Sequence, residues 1–436
     1  MRPARKLPSE LPLPVKSTDF TSRLRGPQVT ARVGLWLGVC FGVAFVTGVW
    51  SHYAQSTPAW LTMPTRPVNL YRVTQGLHIV AGSVAVPLLL VKLWSVYPRL
   101  FLPVLLRPSR ATVLQALERI SILVLVAAGI FQLVTGLMNS AQWYPWAFSF
   151  RSVHFAVAWV AIGALLVHIA VKLPVIRGAF AEPVDAGEDR DDRPDPPPRS
   201  PAGSPAGSPA GSSAGSPAGS PAGSPAGSPS GSPAGSPPLS RRALLRSTWL
   251  AAGLAALTTA GASVPLLRDV SVFAVRTGSG PQGVPINRTA SMAGVSPDMV
   301  GAGWRLELVN GSRTATLTRS DLAAMPQHVE SLPIACVEGW SAGATWTGVR
   351  VRDLLALVGA DPGDGAAVTV TSLQQRYAFG TSVLQSNFAA DHKTLLALEI
   401  NGETLSLDHG YPARLIAPNR PGVLQTKWVT RMEVSA

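Results

Sequence analysis

The stretch YRVTQGLHIVAGSVAVPLLLVKLWSVY, Tyr71 to Tyr97, decides what kind of chain this is. Its middle is apolar or small and its cations, Arg72 and Lys92, lie near the ends. As a helix it is long enough to cross the roughly 30 Å hydrocarbon layer of a bilayer. Working outward, Ala31 to Ser51, Val113 to Met138 and Ser152 to Ile176 read the same way, so residues 31–180 are expected to form an all-α four-helix transmembrane bundle.

Composition agrees, with 47% hydrophobic and 14% charged residues. The formal charge of +13 would point to nucleic acid if it clustered on a soluble domain. Instead the cations flank the apolar stretches: Arg2, Arg5, Lys6, Lys16, Arg23 and Arg25 in the tail 1–30, Arg99, Arg107 and Arg110 in the second connection, Lys172 and Arg177 after the fourth. The expected partner is the lipid bilayer, with no nucleic acid, and the positive-inside rule puts both ends of the bundle in the cytoplasm. Trp50, Tyr53, Trp60, Trp143, Tyr144 and Trp146 mark the outer interface.

Beyond Glu182 the chain turns polar and then repeats nine Pro-Ala-Gly-Ser-type tetrapeptides between Pro201 and Ser236. Residues 181–239 read as a cytoplasmic, disordered linker, spanning about 40 Å on average and expected to tether two units without fixing their orientation. Residues 240–268 open with Ser240-Arg241-Arg242-Ala243-Leu244-Leu245 and continue as a modestly apolar run. That is either an internal twin-arginine export signal or a fifth transmembrane helix, and both place the C-terminal domain outside the cytoplasm. Cleavage at Ala260-Gly261-Ala262 stays open.

Residues 269–436 have the size of one domain. Short β-rich runs at Trp304 to Leu308, Ala367 to Val370 and Arg414 to Ile416, and a helix at Val351 to Val358, predict an α+β, β-rich fold. The chain has two cysteines, Cys40 in the first apolar stretch and Cys336 here, too few for a disulfide framework or zinc cluster.

Ionisable groups inside a span are costly and mark sites, which singles out His78, His154 and His168, with His52 at the interface. At about 1.5 Å per residue, His78 lies ~10 Å and His154 ~5 Å from the outer boundary, matched depths at which both could bind one metal ion. His154 and His168 fall on one helix face about 21 Å apart. The alternative for these histidines is hydrogen-bonded helix packing. In these histidines the chain resembles the bacterial four-helix cytochrome b family, which implies a haem b held by His78 and His154 and makes His168 a candidate for a second iron. In that family the first helix supplies the second haem's partner, whereas its histidine here, His52, sits at the outer end.

The segment Leu332-Pro333-Ile334-Ala335-Cys336-Val337-Glu338-Gly339-Trp340-Ser341, with Trp346-Thr347-Gly348-Val349, resembles the oxidoreductase molybdopterin-binding domain of sulfite oxidases and sulfoxide reductase catalytic subunits. His409-Gly410-Tyr411-Pro412-Ala413-Arg414, Thr426-Lys427-Trp428 and Ile286-Asn287-Arg288 extend the likeness over nearly the whole domain. The resemblance implies Mo-molybdopterin with Cys336 as metal ligand and catalytic residue, and Asn287, Arg288, His409, Arg414, Lys427 and Trp428 around the pterin and its phosphate. Plainer readings are a packing cysteine, a structural salt bridge at Arg414, a solvated strand residue at Lys427 and core tryptophans. The segment Val337 to Ser341 lacks the arginine that sulfite oxidases carry after their cysteine, and Ala436 follows the last motif closely, leaving no expected dimerisation domain. The expected activity is therefore oxygen-atom transfer of the sulfoxide reductase type, fed by membrane quinol through haem b, with a small-molecule oxygen-atom donor or acceptor as substrate. The alternatives are a sulfite dehydrogenase-like oxidase and a cofactor-less membrane-anchored binding module.

Overall fold

The computed structural model describes residues 22, 24–98, 110–185, 240–272, 274, 280–376 and 378–435. The basic tail through Lys16, Arg23, the loop cations Arg99 and Arg107, and the tetrapeptide repeat lie outside the described residues.

Four long helices come first: α1 (Pro27–Gln55), α2 (Leu70–Val96), α3 (Arg110–Ser140) and α4 (Phe150–Ala181). They contain the four expected spans almost whole, and each is long and apolar enough to cross a membrane. Their outward side chains are apolar, Val46, Leu90, Leu123 and Leu166 among them, each more than 60% exposed. Such a belt is unfavourable in water and suited to lipid, so this is a membrane protein.

After the repeat comes α5 (Arg241–Ala260), capped by the Ser240 hydroxyl, which accepts from the backbone N–H of Ala243. It lies along α2, and Trp249 meets Trp36 of α1 edge-on at 5.1 Å. It is not among the four helices apolar enough to span. Both arginines face the end of α4: Arg242 pairs with Asp185 at 2.6 Å and Arg241 donates to the carbonyl of Val184 at 3.4 Å.

The rest is a two-sheet domain. One sheet has the order β2-β1-β10-β5-β6, with β1 (Leu306–Asn310), β2 (Arg313–Leu317), β5 (Val368–Ser372), β6 (Thr381–Leu384) and β10 (Val429–Val434). β1 and β10 run parallel and the other pairs antiparallel. The second sheet runs β3-β4-β7-β8 with β9 on β7, using β3 (His328–Ala335), β4 (Ser341–Arg350), β7 (Leu395–Ile400), β8 (Glu403–Thr404) and β9 (Arg414–Ile416). The expected helix is present as α8 (Val351–Ala356), after two shorter helices, α6 (Ala290–Ala293) and α7 (Arg319–Ala324). Leu306, Leu308, Val349, Leu354, Val370 and Leu396, all essentially inaccessible, form the larger core.

One expectation is corrected here. The two units are not left free by their linker, because the connection 56–69 between α1 and α2 is hydrogen-bonded along the domain. Gln385 bonds to Met63 N–H and Leu61 C=O, Asn387 donates to Met63 C=O, Asn419 donates to Pro64 C=O, and Arg66 pairs with Asp391 at 2.9 Å. Asn419 also accepts from the backbone N–H of Tyr71 at 2.6 Å, tying the start of α2 to the domain.

Candidate functional site

Cys336 follows β3 in a five-residue reversal into β4. Its N–H donates to Trp340 C=O at 2.8 Å and its carbonyl accepts from Gly339 N–H at 3.1 Å. Gly339 has φ +92°, and a Cβ there would lie 2.7 Å from Ile79 in α2, so glycine is required twice over. The Cys336 side chain is 1% exposed. Burial, and then the Glu338 carboxylate, push its thiol well above the ordinary range, so the thiolate needs a cation against it.

Cations stand nearby. Arg414, buried on β9, donates to His409 C=O at 3.1 Å and lies over the Trp346 ring at 5.4 Å. Lys427, buried ahead of β10, donates to the carbonyls of Arg288 and Asp408, both at 2.8 Å. The His409 imidazole bonds to Pro281 C=O at 2.8 Å and Trp428 N–H donates to Leu407 C=O at 2.7 Å. Asn287 is half-buried beside Arg288. The structure thus gathers Arg288, His409, Arg414, Lys427 and Trp428 into one cluster. Arg414 is not a salt-bridge residue, having no carboxylate in ion-pair contact among the described residues, and Lys427 is not a solvated strand residue. Trp340, Trp346 and Trp428 are all buried.

Burial lowers Arg414 to about 9 and, with repulsion from Arg414, takes Lys427 well below the lysine range. Burial and the same arginine lower His409 to about 4. Gathering cations this deeply is unfavourable unless an anion joins them. The Arg414 Nε atom is buried without a hydrogen-bond partner, so the donor set fits a phosphate-bearing cofactor beside a thiolate-bound metal.

Within the bundle a cavity of about 170 Å³ lies between α1, α2, α3 and α4. His78 and His154 enter it from α2 and α4 with ring centroids 6.3 Å apart. His78 Nδ1 bonds to Ala44 C=O at 2.9 Å, which only accepts, so Nδ1 carries the proton. The Thr135 hydroxyl donates to Phe131 C=O and so accepts from His154 Nδ1 at 2.9 Å. Both Nε2 atoms are left as bases for a metal, each ring oriented by the bond on its other nitrogen. Two imidazoles sharing one metal, at about 2 Å per bond, put their centroids roughly 6 Å apart. Gly48 abuts His78, and a Cβ there would come within 3.1 Å of the ring.

His52 stacks on Phe155 at 3.6 Å, and both it and Cys40 line the same cavity. His168 is not among the lining residues and lies beside Lys92, Glu118 and Lys172. Sequence reasoning passed over Gln75 and Asn139, buried amides whose signal was their polarity inside apolar spans, and Arg420, a buried arginine at the seam with the 56–69 connection. It also missed Val337, the residue after Cys336, which lines the bundle cavity.

The comparisons define the class. Residues 293–436 match the oxidoreductase molybdopterin binding domain family, and this part of the chain is such a domain, joined to four apolar helices. Among relatives, the chain is 32% identical over 159 residues to a mitochondrial sulfite oxidase of Drosophila melanogaster, covering 30% of this chain and 27% of that protein. It is 34% identical over 137 residues to a protein of Azospira oryzae named as protein-methionine-sulfoxide reductase subunit YedZ1, covering 31% and 50%. The sulfane dehydrogenase SoxCD structure from Paracoccus pantotrophus aligns with 37% of this chain and 44% of its own at 22% identity and TM-score 0.31. The chain spans half or less of the length of these proteins.

Proposed function

We propose that the protein is a membrane-bound molybdenum oxidoreductase that uses quinol electrons, passed through haem b, to remove oxygen from sulfoxides outside the cytoplasm. The observation that carries this reading is the adjacency of two cofactor-suited sites: Val337, next to Cys336, lines the cavity of His78 and His154. Overall, sulfoxide and quinol give sulfide, quinone and water.

In this reading Cys336 gives its thiolate to the metal and balances the charge that burial disfavours. Asn287, Arg288, His409, Arg414, Lys427 and Trp428 hold the pterin and its phosphate, the cations fixing orientation by directed N–H bonds. Mo-molybdopterin, when bound, supplies oxygen-atom transfer. His78 and His154 hold haem b; His168, outside the cavity, is kept as a candidate for a second iron. The domain sits on the side of the 56–69 connection, which carries few cations, supporting an extracytoplasmic position and cytoplasmic linker. Arg241 and Arg242 then serve export, with divisions near residues 30, 180, 239 and 268. The name of the Azospira relative supports the sulfoxide substrate.

Sulfite oxidation with quinone as acceptor is the second reading, favoured by the similarity to a sulfite oxidase. The cofactor-less module is disfavoured by the burial of Arg414 and Lys427 with no carboxylate in ion-pair contact among the described residues. Purified protein should contain molybdenum, give a reduced-minus-oxidised b-type haem spectrum and turn over methionine sulfoxide with a reduced dye. Absence of both metals sinks the proposal; turnover of sulfite alone reverses its direction.

A further inference from the structure

Two helices that carry or support the cavity histidines also contact, one turn further along, the reversal that carries Cys336. On α2, Gln75 stands three residues before His78, and its amide donates to the carbonyl oxygen of Val337 at 3.2 Å. On α3, Asn139 stands four residues after Thr135, the partner of His154, and its amide donates to the same oxygen at 3.0 Å. Positions three and four apart share one face of a helix, so each helix presents its cavity group and its amide along a single line. Both amides are nearly inaccessible, Gln75 at 5% and Asn139 at 6%. Their other ends are also satisfied: Gln75 Oε1 accepts from Ser51 and Asn139 Oδ1 from Tyr144, each at 3.0 Å. Buried primary amides in apolar spans are unfavourable unless so engaged.

Two donors on one carbonyl exceed what docking requires, because the 56–69 connection already binds the domain. The same reversal is gripped elsewhere as well. Arg72 donates to the Ser341 hydroxyl at 3.0 Å, Ser341 N–H donates to Ala262 C=O at 2.7 Å, and the Ser263 hydroxyl donates to Gly339 C=O at 2.7 Å. Gly339 lies flush against Ile79, the neighbour of His78.

We infer that Gln75 and Asn139 are positioning residues that clamp the Val337 carbonyl, and with it the Cys336 reversal, against the histidine cavity, so that one peptide unit separates the two redox sites. The inference rests on the proposed function for its electron-transfer consequence and on geometry alone for the clamp. A haem held by His78 and His154 would supply electrons one at a time to a centre held by Cys336. Two such transfers match the two-electron removal of one oxygen atom, and quinol supplies the electrons and the protons that leave as water.

The test uses the full chain in lipid nanodiscs, with Gln75→Met and Asn139→Leu, which keep the length of the side chain and remove the donors, singly and together. Haem is reduced with a quinol analogue, methionine sulfoxide is added, and reoxidation is followed at the Soret band. The double variant should reoxidise about tenfold more slowly, with the single variants between it and the parent, while haem content and dye-driven turnover stay close to the parent. In parallel, hydrogen–deuterium exchange of amides 337–341 should quicken in the double variant. Unchanged reoxidation with unchanged exchange overturns the clamp, as does an equal fall in dye-driven turnover, which would make these residues merely structural. A parent chain without haem bands overturns the proposed function instead, and the exchange measurement then decides the clamp alone.

Discussion

The cavity between α1 and α4 and the cluster behind Cys336 are neighbours made from opposite materials. In the bundle the candidate ligands are uncharged imidazoles, each oriented by a hydrogen bond to its Nδ1, with small residues such as Gly48 giving room. In the domain the candidate ligands are a thiol held neutral by burial and the buried cations Arg414 and Lys427, which have no carboxylate in ion-pair contact among the described residues. A neutral ligand pair can be preassembled in an apolar span at modest cost, since nothing about it must be compensated. A charged set stores its cost in the folded domain and releases it only to a partner of opposite sign.

The sharpest way to break this contrast is at Cys336. Cys336→Ser keeps the packing but replaces a soft donor with a hard one, so molybdenum-dependent turnover should fall to background while the haem spectrum is untouched. Substantial turnover with an unaltered molybdenum signal would leave the cysteine a packing residue. Next comes the bundle: His154→Ala, and separately His78→Ala, should abolish the b-type haem bands and leave dye-driven turnover at the Cys336 site intact. Bands that survive both changes would move the ligation to His168 or His52.

A third change sharpens the electrostatic side. Arg414→Leu should stabilise the cofactor-free domain by about 1–3 kcal/mol, because an uncompensated buried charge is removed, yet weaken cofactor retention by roughly 10–100-fold. Thermal melting of cofactor-free and loaded protein should therefore shift in opposite directions; a shared direction would show that Arg414 is not waiting for an anion. The smallest effect concerns pH. His409 is lowered to about 4 from the ordinary histidine value of 6.5, so the unfolded chain binds the extra proton between those values and the folded domain does not. Stability of the cofactor-free domain should hold above pH 6.5 and fall as pH drops toward 4, by at most roughly 3 kcal/mol from this residue. His409→Gln should flatten that slope in urea titrations at several pH values.

The bundle was legible because a bilayer demands long apolar runs: α1, α3 and α4 overrun their expected ends by only a few residues and α2 matches its own to within one. The strand at Arg414 to Ile416 and the helix after Arg350 were legible from β-rich and helical patterning. The seam between the units was not. The connection 56–69 has no periodicity, and Gln75 and Asn139 meet Val337 across 262 and 198 residues of sequence, a pairing no local pattern encodes. Matched depth pointed to His78 and His154, whose rings lie 6.3 Å apart in one cavity, whereas helical phase also nominated His168, which does not line it.

The pairing of Asp185 with Arg242, together with the packing of α5 on α2, has a consequence for the repeat between them. The chain leaves the bundle at Asp185 and re-enters it beside that point at Arg242, so the two ends of the intervening segment are held together. The cost of closing a segment between points already side by side grows only logarithmically with its length. Tetrapeptides can thus be gained or lost in evolution with little thermodynamic trace, and a single proteolytic nick between Asp185 and Arg242 should leave both halves travelling as one particle.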